Sequence, residues 1–457
     1  MSEEVNIPPP SEGDKVEVAP QLPVRNTRTR TIVLISAVVL VVLIALIIVL
    51  KKRGNDDAVA VATPSATIAV NTPTPDQQYH PSPSDSDSLD PVIKGKSLTY
   101  GQCDGQGTTT LTHAPMDPKD IGSIAPEGSF GGAHVTPIDH EYYYGASLTA
   151  AADTYPVYAV MDGNLNAVGN VMGAKTSWNI TLSHSCTFMA YYNLMTSLAP
   201  NIMSQLPSNW QQISGNVKIP VKAGDIIGYS GGQSLDFQLA NTETTLAGLL
   251  YHNAYNFAEP IKINGVKPLD YFASSVKADI LPKYLRQVEP RDGKYDYDIA
   301  GEAVGNWFVV GTNGYGGTPS QTSDEFSRAL GHLSLAYDSF NPSSLVFSIG
   351  NYQGKPQVFA VKGTVDWTKI TPTSGLVKVE LAEGGLQTST GAVWNGGYVA
   401  GGITFVAKNT LATALVQMVD VNHLKVELFA GKTPDQVSAF TAAAVTYDRG
   451  QDAKLAK

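Results

Sequence analysis

The chain predicts a mainly β fold behind a single membrane helix: a β-domain built on an antiparallel sheet or barrel, then a C-terminal β-sandwich of jelly-roll kind. Three observations predict it. Ile32 to Leu50 (IVLISAVVLVVLIALIIVL) is a run of 19 residues without a charge. Charged residues are only 16% of the chain, while Gly (42) and Pro (28) are plentiful, a balance that suits strands and turns with neutral polar surfaces. From about residue 96 to 450, apolar stretches of strand length recur between Gly, Pro and Asn turns. The 457 residues allow about three domain-sized units. With 43% hydrophobic residues, five Trp, 21 Tyr and 13 Phe, they can bury a sizeable core, which excludes wholesale disorder.

The apolar run spans roughly 28 Å as a helix, the thickness of a bilayer's hydrocarbon core. A cleaved signal peptide would have a shorter apolar stretch, and here Lys51, Lys52 and Arg53 follow directly. Residues 32–50 therefore read as a retained single-pass anchor. Basic residues flank both ends (Arg25, Arg28 and Arg30 ahead of it), so charge alone does not orient it. The neighbours do. Residues 51–95 are a Pro/Ser/Thr-rich stretch that cannot bury a core and suits a stalk, whereas residues 1–31 suit a short cytoplasmic tail. The expected location is the cell membrane, with the C-terminal domains outside. A net charge of -10 without a long basic run argues against nucleic acid as a partner.

The first β-domain is expected over 96–275, from runs such as YPVYAVMDGNL, WNITLSH, CTFMAYYNLM, VKIPV, IIGYSGG and LDFQLAN, with a helical interlude near Leu194 to Gln205. A charged linker follows at 276–289. Over 290–450 about eight further strands (among them NWFVVGT, HLSLAYD, SLVFSIG, QVFAVKG and HLKVELFAG) predict the sandwich.

The middle region holds His113, His134, His140, His184 and His252. On an extended strand Asp139 and His140 would face opposite sides, while His134 and His140 would share one. A zinc site needs three or four such ligands within about 2.0 to 2.3 Å of the metal. The rival reading is that Asp139 and His140 hydrogen-bond a turn and the other histidines sit in a polar core.

The order of PVYAVMDGNLNAVG, ITLSHSCTFMAYYNLM and VKAGDIIGYSGGQSLDFQLAN resembles the lysostaphin-type zinc endopeptidases, which cut peptidoglycan cross-links. The resemblance covers about residues 125 to 245 and implies the β-sheet fold called the duplicated hybrid motif. Its most specific parts are the turn Asp162-Gly163 and the stretch Val221 to Gly228 leading into Gly231-Gly232. The family binds zinc through a His and an Asp with three residues between them, plus the second His of a His-x-His motif. Here His134 and Asp139 are spaced one residue too far apart. Asn193 stands where a His of a Tyr-x-His-Leu block assists attack by water, and Ser234 and Asp236 replace the His-x-His pair. Asn193 has no titratable nitrogen and cannot move a proton at neutral pH. A rearranged site of His134, Asp139 and Asp236 would be the one to hold zinc; otherwise no cofactor is expected, and no catalytic residue is assigned.

Two cysteines are too few for a disulfide scaffold. Cys103 is expected to pair with Cys186 if the domain faces an oxidising exterior, closing a loop of about 83 residues worth roughly 4 kcal/mol; the alternative is two buried thiols. In the C-terminal region the glycine cluster Gly311 to Gly317 lacks the Lys-Ser/Thr of a phosphate loop. Trp307, Tyr315, Trp367 and Trp394 would stack on sugars if exposed, or fill a core if not. The expected function is a membrane-anchored surface protein with a catalytically degenerate endopeptidase-like domain, binding a cell-wall polymer or another surface protein. The alternative is an active metal-dependent cell-wall hydrolase with rearranged ligands.

Overall fold

The computed structural model describes residues 103–453, apart from 172–176, 211–216, 256–257, 319–324, 395–398, 401 and 452. The expected tail (1–31), membrane helix (32–50) and stalk (51–95) lie outside the described residues. Among the described residues no helix is long and apolar enough to cross a membrane.

Eleven strands build the first β-region: β1 (Ile121–Ala125), β2 (Glu141–Gly145), β3 (Tyr155–Tyr158), β4 (Gly163–Val171), β5 (Ser177–Ser183), β6 (Phe188–Met195), β7 (Ser197–Leu198), β8 (Ile219–Val221), β9 (Ile226–Ser230), β10 (Leu235–Asn241) and β11 (Gly265–Val266). The main sheet runs β1-β2-β10-β6-β5-β4-β8, with β11 added on β10, and a smaller sheet runs β3-β9-β7. The pairings of β10 with β2 and β6, and of β5 with β6, are antiparallel, so side chains alternate between two faces. One face carries Tyr143, Leu235, Phe237, Tyr192, Ile180 and Leu182 into the core. The other carries Tyr142, Asp236, Gln238, Asn193, Asn179 and Thr181. The helical interlude is short, Pro200–Met203, with the proline at its start where the missing N–H costs nothing.

The two turns singled out in the sequence lie side by side. Asp162 accepts from the Ala223 backbone N–H at 3.0 Å and pairs with Lys222 at 2.7 Å. Gly224, with φ +82°, lets the chain reverse between β8 and β9. Cys103 is joined to Cys186 by a disulfide at the β5–β6 hairpin.

Residues 276–289, expected as a linker, fold onto the sheet. The helix Ser274–Ile280 buries Ile280, and Tyr284, Leu285 and Arg286 are buried behind it. The Tyr284 hydroxyl donates to Glu141 at 2.7 Å, and an Arg286 guanidinium N–H donates to the Ser339 carbonyl at 2.9 Å. The charges that suggested a linker lie on a segment that also covers a core.

The second region is a closed barrel, not the expected jelly-roll sandwich. Its strands are β12 (Gly305–Val309), β13 (His332–Tyr337), β14 (Leu345–Tyr352), β15 (Lys355–Lys362), β16 (Val377–Gln387), β17 (Thr404–Met418), β18 (His423–Ala430) and β19 (Val445–Asp448). Each pairs with the next, and β12 pairs with β19, so no strand crosses over as in a jelly roll. Bulges in β16, at Leu381/Ala382 and Ala382/Gly384, bend the longest hairpin around the closure. Strand count and alternation are the same in both architectures, which is why sequence did not separate them. The interior is filled by Trp307, Leu335, Phe347, Phe359, Leu381 and Val416. Trp307 and Trp367 are fully buried and Tyr315 and Trp394 nearly so; all four fill cores rather than offering faces to sugars.

Sheet and barrel pack together as part of one compact unit. Asn306 donates to the Tyr255 hydroxyl at 3.0 Å across their boundary. Beyond its last pairing with β15, the β16–β17 ribbon continues to Gln387 and Thr404. Leu386, Trp394 and Ile403 of that hairpin pack with Ala125, Leu285, Tyr142 and Tyr144 at the edge of the polar sheet face.

Candidate functional site

Strand register builds the site. Asp236 of β10 lies opposite Tyr142 of β2 on one side and Asn193 of β6 on the other, so the three side chains form a row on the polar face. The Asn193 amide donates to Asp236 Oδ2 at 3.4 Å. His140 stands just ahead of β2, in a bend rather than a strand. Asp139 and His140 therefore do not point to opposite sides: His140 Nδ1 lies 3.1 Å from Asp139 Oδ1. His140 Nε2 faces Asp236 Oδ2 at 3.6 Å, so one imidazole is set between two carboxylates. Its ring meets Tyr142 edge-on, with centroids 5.0 Å apart.

His134 and His140 do come together, with ring centroids 5.9 Å apart. His134 Nδ1 is nevertheless turned to Glu325, at 3.4 Å, on a short helix between β12 and β13. Behind Asp139 is Lys262, in the 3-10 helix Pro260–Asn264. Its ammonium is 3.8 Å from Asp139 Oδ2 and 3.4 Å from Glu259 Oε2, and it donates to the Pro137 carbonyl at 3.0 Å. Sequence reasoning missed Lys262, Glu259 and Glu325. The one signal was a lysine between two isoleucines in an apolar stretch, and nothing in the pattern linked it to Asp139.

The charges follow from these neighbours. Burial opposes the Asp139 carboxylate, but Lys262 and the bond from His140 outweigh it and hold its pKa below the usual range. Burial likewise opposes a charged His140, yet Asp236 and Asp139 raise its pKa. Burial pushes Asp236 up to about 6, against the pull of His140 and the Asn193 amide. Burial lowers the pKa of His134, with Glu325 acting the other way.

The remaining histidines are elsewhere. His184 Nδ1 meets the Asp162 carbonyl at 3.0 Å, and burial pushes its pKa down to about 4, so it is neutral. His113 Nδ1 meets the Ala114 carbonyl at 2.7 Å, and His252 Nε2 the Leu246 carbonyl at 3.2 Å.

These residues do not fit a zinc ion as they are arranged. Both oxygens of Asp139 face protein cations or donors, Asp236 Oδ2 faces His140 and Asn193 while its Oδ1 makes no hydrogen bond among the described residues, and the Nδ1 of His134 faces Glu325. Among the described residues no three His, Cys, Asp or Glu side chains are disposed to hold a metal ion. What the arrangement offers is a polar face with neutral amides and hydroxyls around one charged cluster. Within it Asp139 orients the His140 ring, and the amide of Asn193 stands beside the Asp236 carboxylate.

No family model and no curated protein matches the chain. Among solved structures it is similar to Helicobacter pylori Csd3, at 19% identity over 36% of this chain and 36% of that one, with a TM-score of 0.23. It is similar to CbpA of L. salivarius REN at 21% identity, over 27% of this chain and 66% of that one, with a TM-score of 0.16. The solution structure of lysostaphin is similar at 13% identity, over 75% of this chain and 92% of that one, with a TM-score of 0.24. The chain thus spans only 36% of the length of the Csd3 structure it matches. Likeness at scores this low carries no weight for function, and the chain's own side chains must supply the reading.

Proposed function

We propose that the protein is a non-hydrolytic module of the cell envelope. It is held to the membrane by residues 32–50, with its β-regions outside, and binds a cell-wall polymer or another surface protein. One observation carries this reading: the row Tyr142–Asp236–Asn193 has an amide where the resemblance calls for a proton-moving imidazole, and the nearest imidazole, His140, is tied between two carboxylates. An amide neither takes up nor releases a proton near neutral pH, so Asn193 cannot act on water as that imidazole would. The Cys103–Cys186 disulfide supports an oxidising location.

The test incubates the full chain with purified, insoluble peptidoglycan, with and without added zinc. Co-sedimentation without release of soluble peptides is expected. Release that is abolished by Asp236→Ala would overturn the reading. It would favour the second one, a metal-dependent cell-wall hydrolase with rearranged ligands, for which the closeness of His134, His140, Asp139 and Asp236 speaks.

A further inference from the structure

The seat of Lys262 is built like a cation site. Its side chain is 2% exposed. Oxygens of Pro137, Glu259 and Asp139 surround the ammonium, and it lies 5.5 Å from the ring centroids of both Tyr295 and Tyr315. Aromatic faces attract a cation through their electron-rich centres. Each wall of the seat is itself fixed. The Tyr315 hydroxyl donates to Glu259 Oε1 at 2.6 Å, and the Tyr295 hydroxyl donates to the Lys262 carbonyl at 2.8 Å.

This cation also accounts for its neighbours. A buried carboxylate needs a partner charge, and Asp139 has the ammonium on one oxygen and His140 on the other. A divalent ion brought to Asp139 would meet a positive charge across a gap of only a few ångströms in a poorly screened interior, where repulsion is strong.

We propose that Lys262 is a built-in cation that takes the place of a metal ion beside Asp139 and His140, so that the chain itself closes this site to divalent metals. The inference deepens the non-hydrolytic reading and rests on it for the role of the site, but its test reads metal binding alone. The barrel takes part, because Tyr315, between β12 and β13, supplies both an aromatic wall and the hydroxyl that holds Glu259.

The experiment titrates the full chain with zinc chloride by calorimetry and measures bound zinc after dialysis. The variants are Lys262→Met, Lys262→Arg and Asp139→Asn, with circular dichroism reporting folding. The wild type is expected to retain no stoichiometric zinc, and Asp139→Asn to leave its titration unchanged. Lys262→Met should bind zinc at least tenfold more tightly than the wild type, with that gain lost when Asp139→Asn is added. Lys262→Arg, which keeps the charge, should gain nothing. One equivalent of zinc on the wild type, lost with Asp139→Asn, overturns the proposal; so does a folded Lys262→Met that gains no affinity. If Lys262→Met does not fold, the wild-type and Asp139→Asn titrations decide the matter. Zinc-free hydrolysis of peptidoglycan would sink the functional reading while leaving this inference intact.

Discussion

The sheet and the barrel each bury a charged cluster, and the two differ in how completely it is satisfied. In the barrel, Arg449 donates to Asp298 at 2.8 Å and to the carbonyls of Glu302, Val304 and Asn306 at 2.7 to 3.0 Å, with its guanidinium 3.8 Å over the Trp307 ring. In the sheet, the contacts among Asp139, His140, Asp236, Asn193 and Lys262 run from 3.1 to 3.8 Å. There, His140 Nε2 and Asp236 Oδ1 make no hydrogen bond among the described residues. Short, complete bonding marks a clasp whose work is to close a structure. Longer, incomplete bonding marks a place where side chains have capacity to spare for something else.

Three experiments would sharpen or break that contrast. The largest effect is expected from acid. Burial pushes the barrel residue His332 down to about 3, so the unfolded chain, at its ordinary 6.5, binds the proton first as pH falls. Stability should therefore drop from pH 6.5 toward 3, by about 4–5 kcal/mol from this residue. His332→Gln should flatten that slope in urea unfolding; an unchanged slope would mean that the ring is not held neutral. Asp298→Ala strands the Arg449 charge and should cost about 3–5 kcal/mol in the same assay. A cost under about 1 kcal/mol would show that the barrel clasp is no more committed than the sheet cluster. Reducing the Cys103–Cys186 bridge should cost the sheet about 2–4 kcal/mol, read as a lower melting temperature with reductant.

Much of the sheet was legible from the sequence because a two-faced antiparallel strand writes its apolar core face and its polar face as alternating residue types. Leu235, Phe237 and Leu239 against Asp236 and Gln238 is such a pattern, and so is Ile180 and Leu182 against Asn179 and Thr181. Asn193 and Asp236 came to notice through the blocks that resemble Tyr-x-His-Leu and His-x-His, and strand register sets the two side by side. The barrel's closure was not, since it depends on which strand β12 meets after more than a hundred residues of chain. Asp139 and His140 were read on strand geometry, but β2 begins only at Glu141, and the bend before it turns both side chains to one place. Lys262 meets Asp139, and Glu325 meets His134, across more than 120 residues of chain, and no local pattern announces such a meeting.

The bridge between Cys103 and Cys186 has a mechanical consequence. Tension on the chain ahead of Cys103 enters the β5–β6 hairpin directly through a covalent bond. The 83 residues it spans, with β1 to β4 among them, are shielded from being peeled off one strand at a time. A pull at this end therefore loads β5 and β6, which are paired on either side by β4 and β10 in the interior of the sheet.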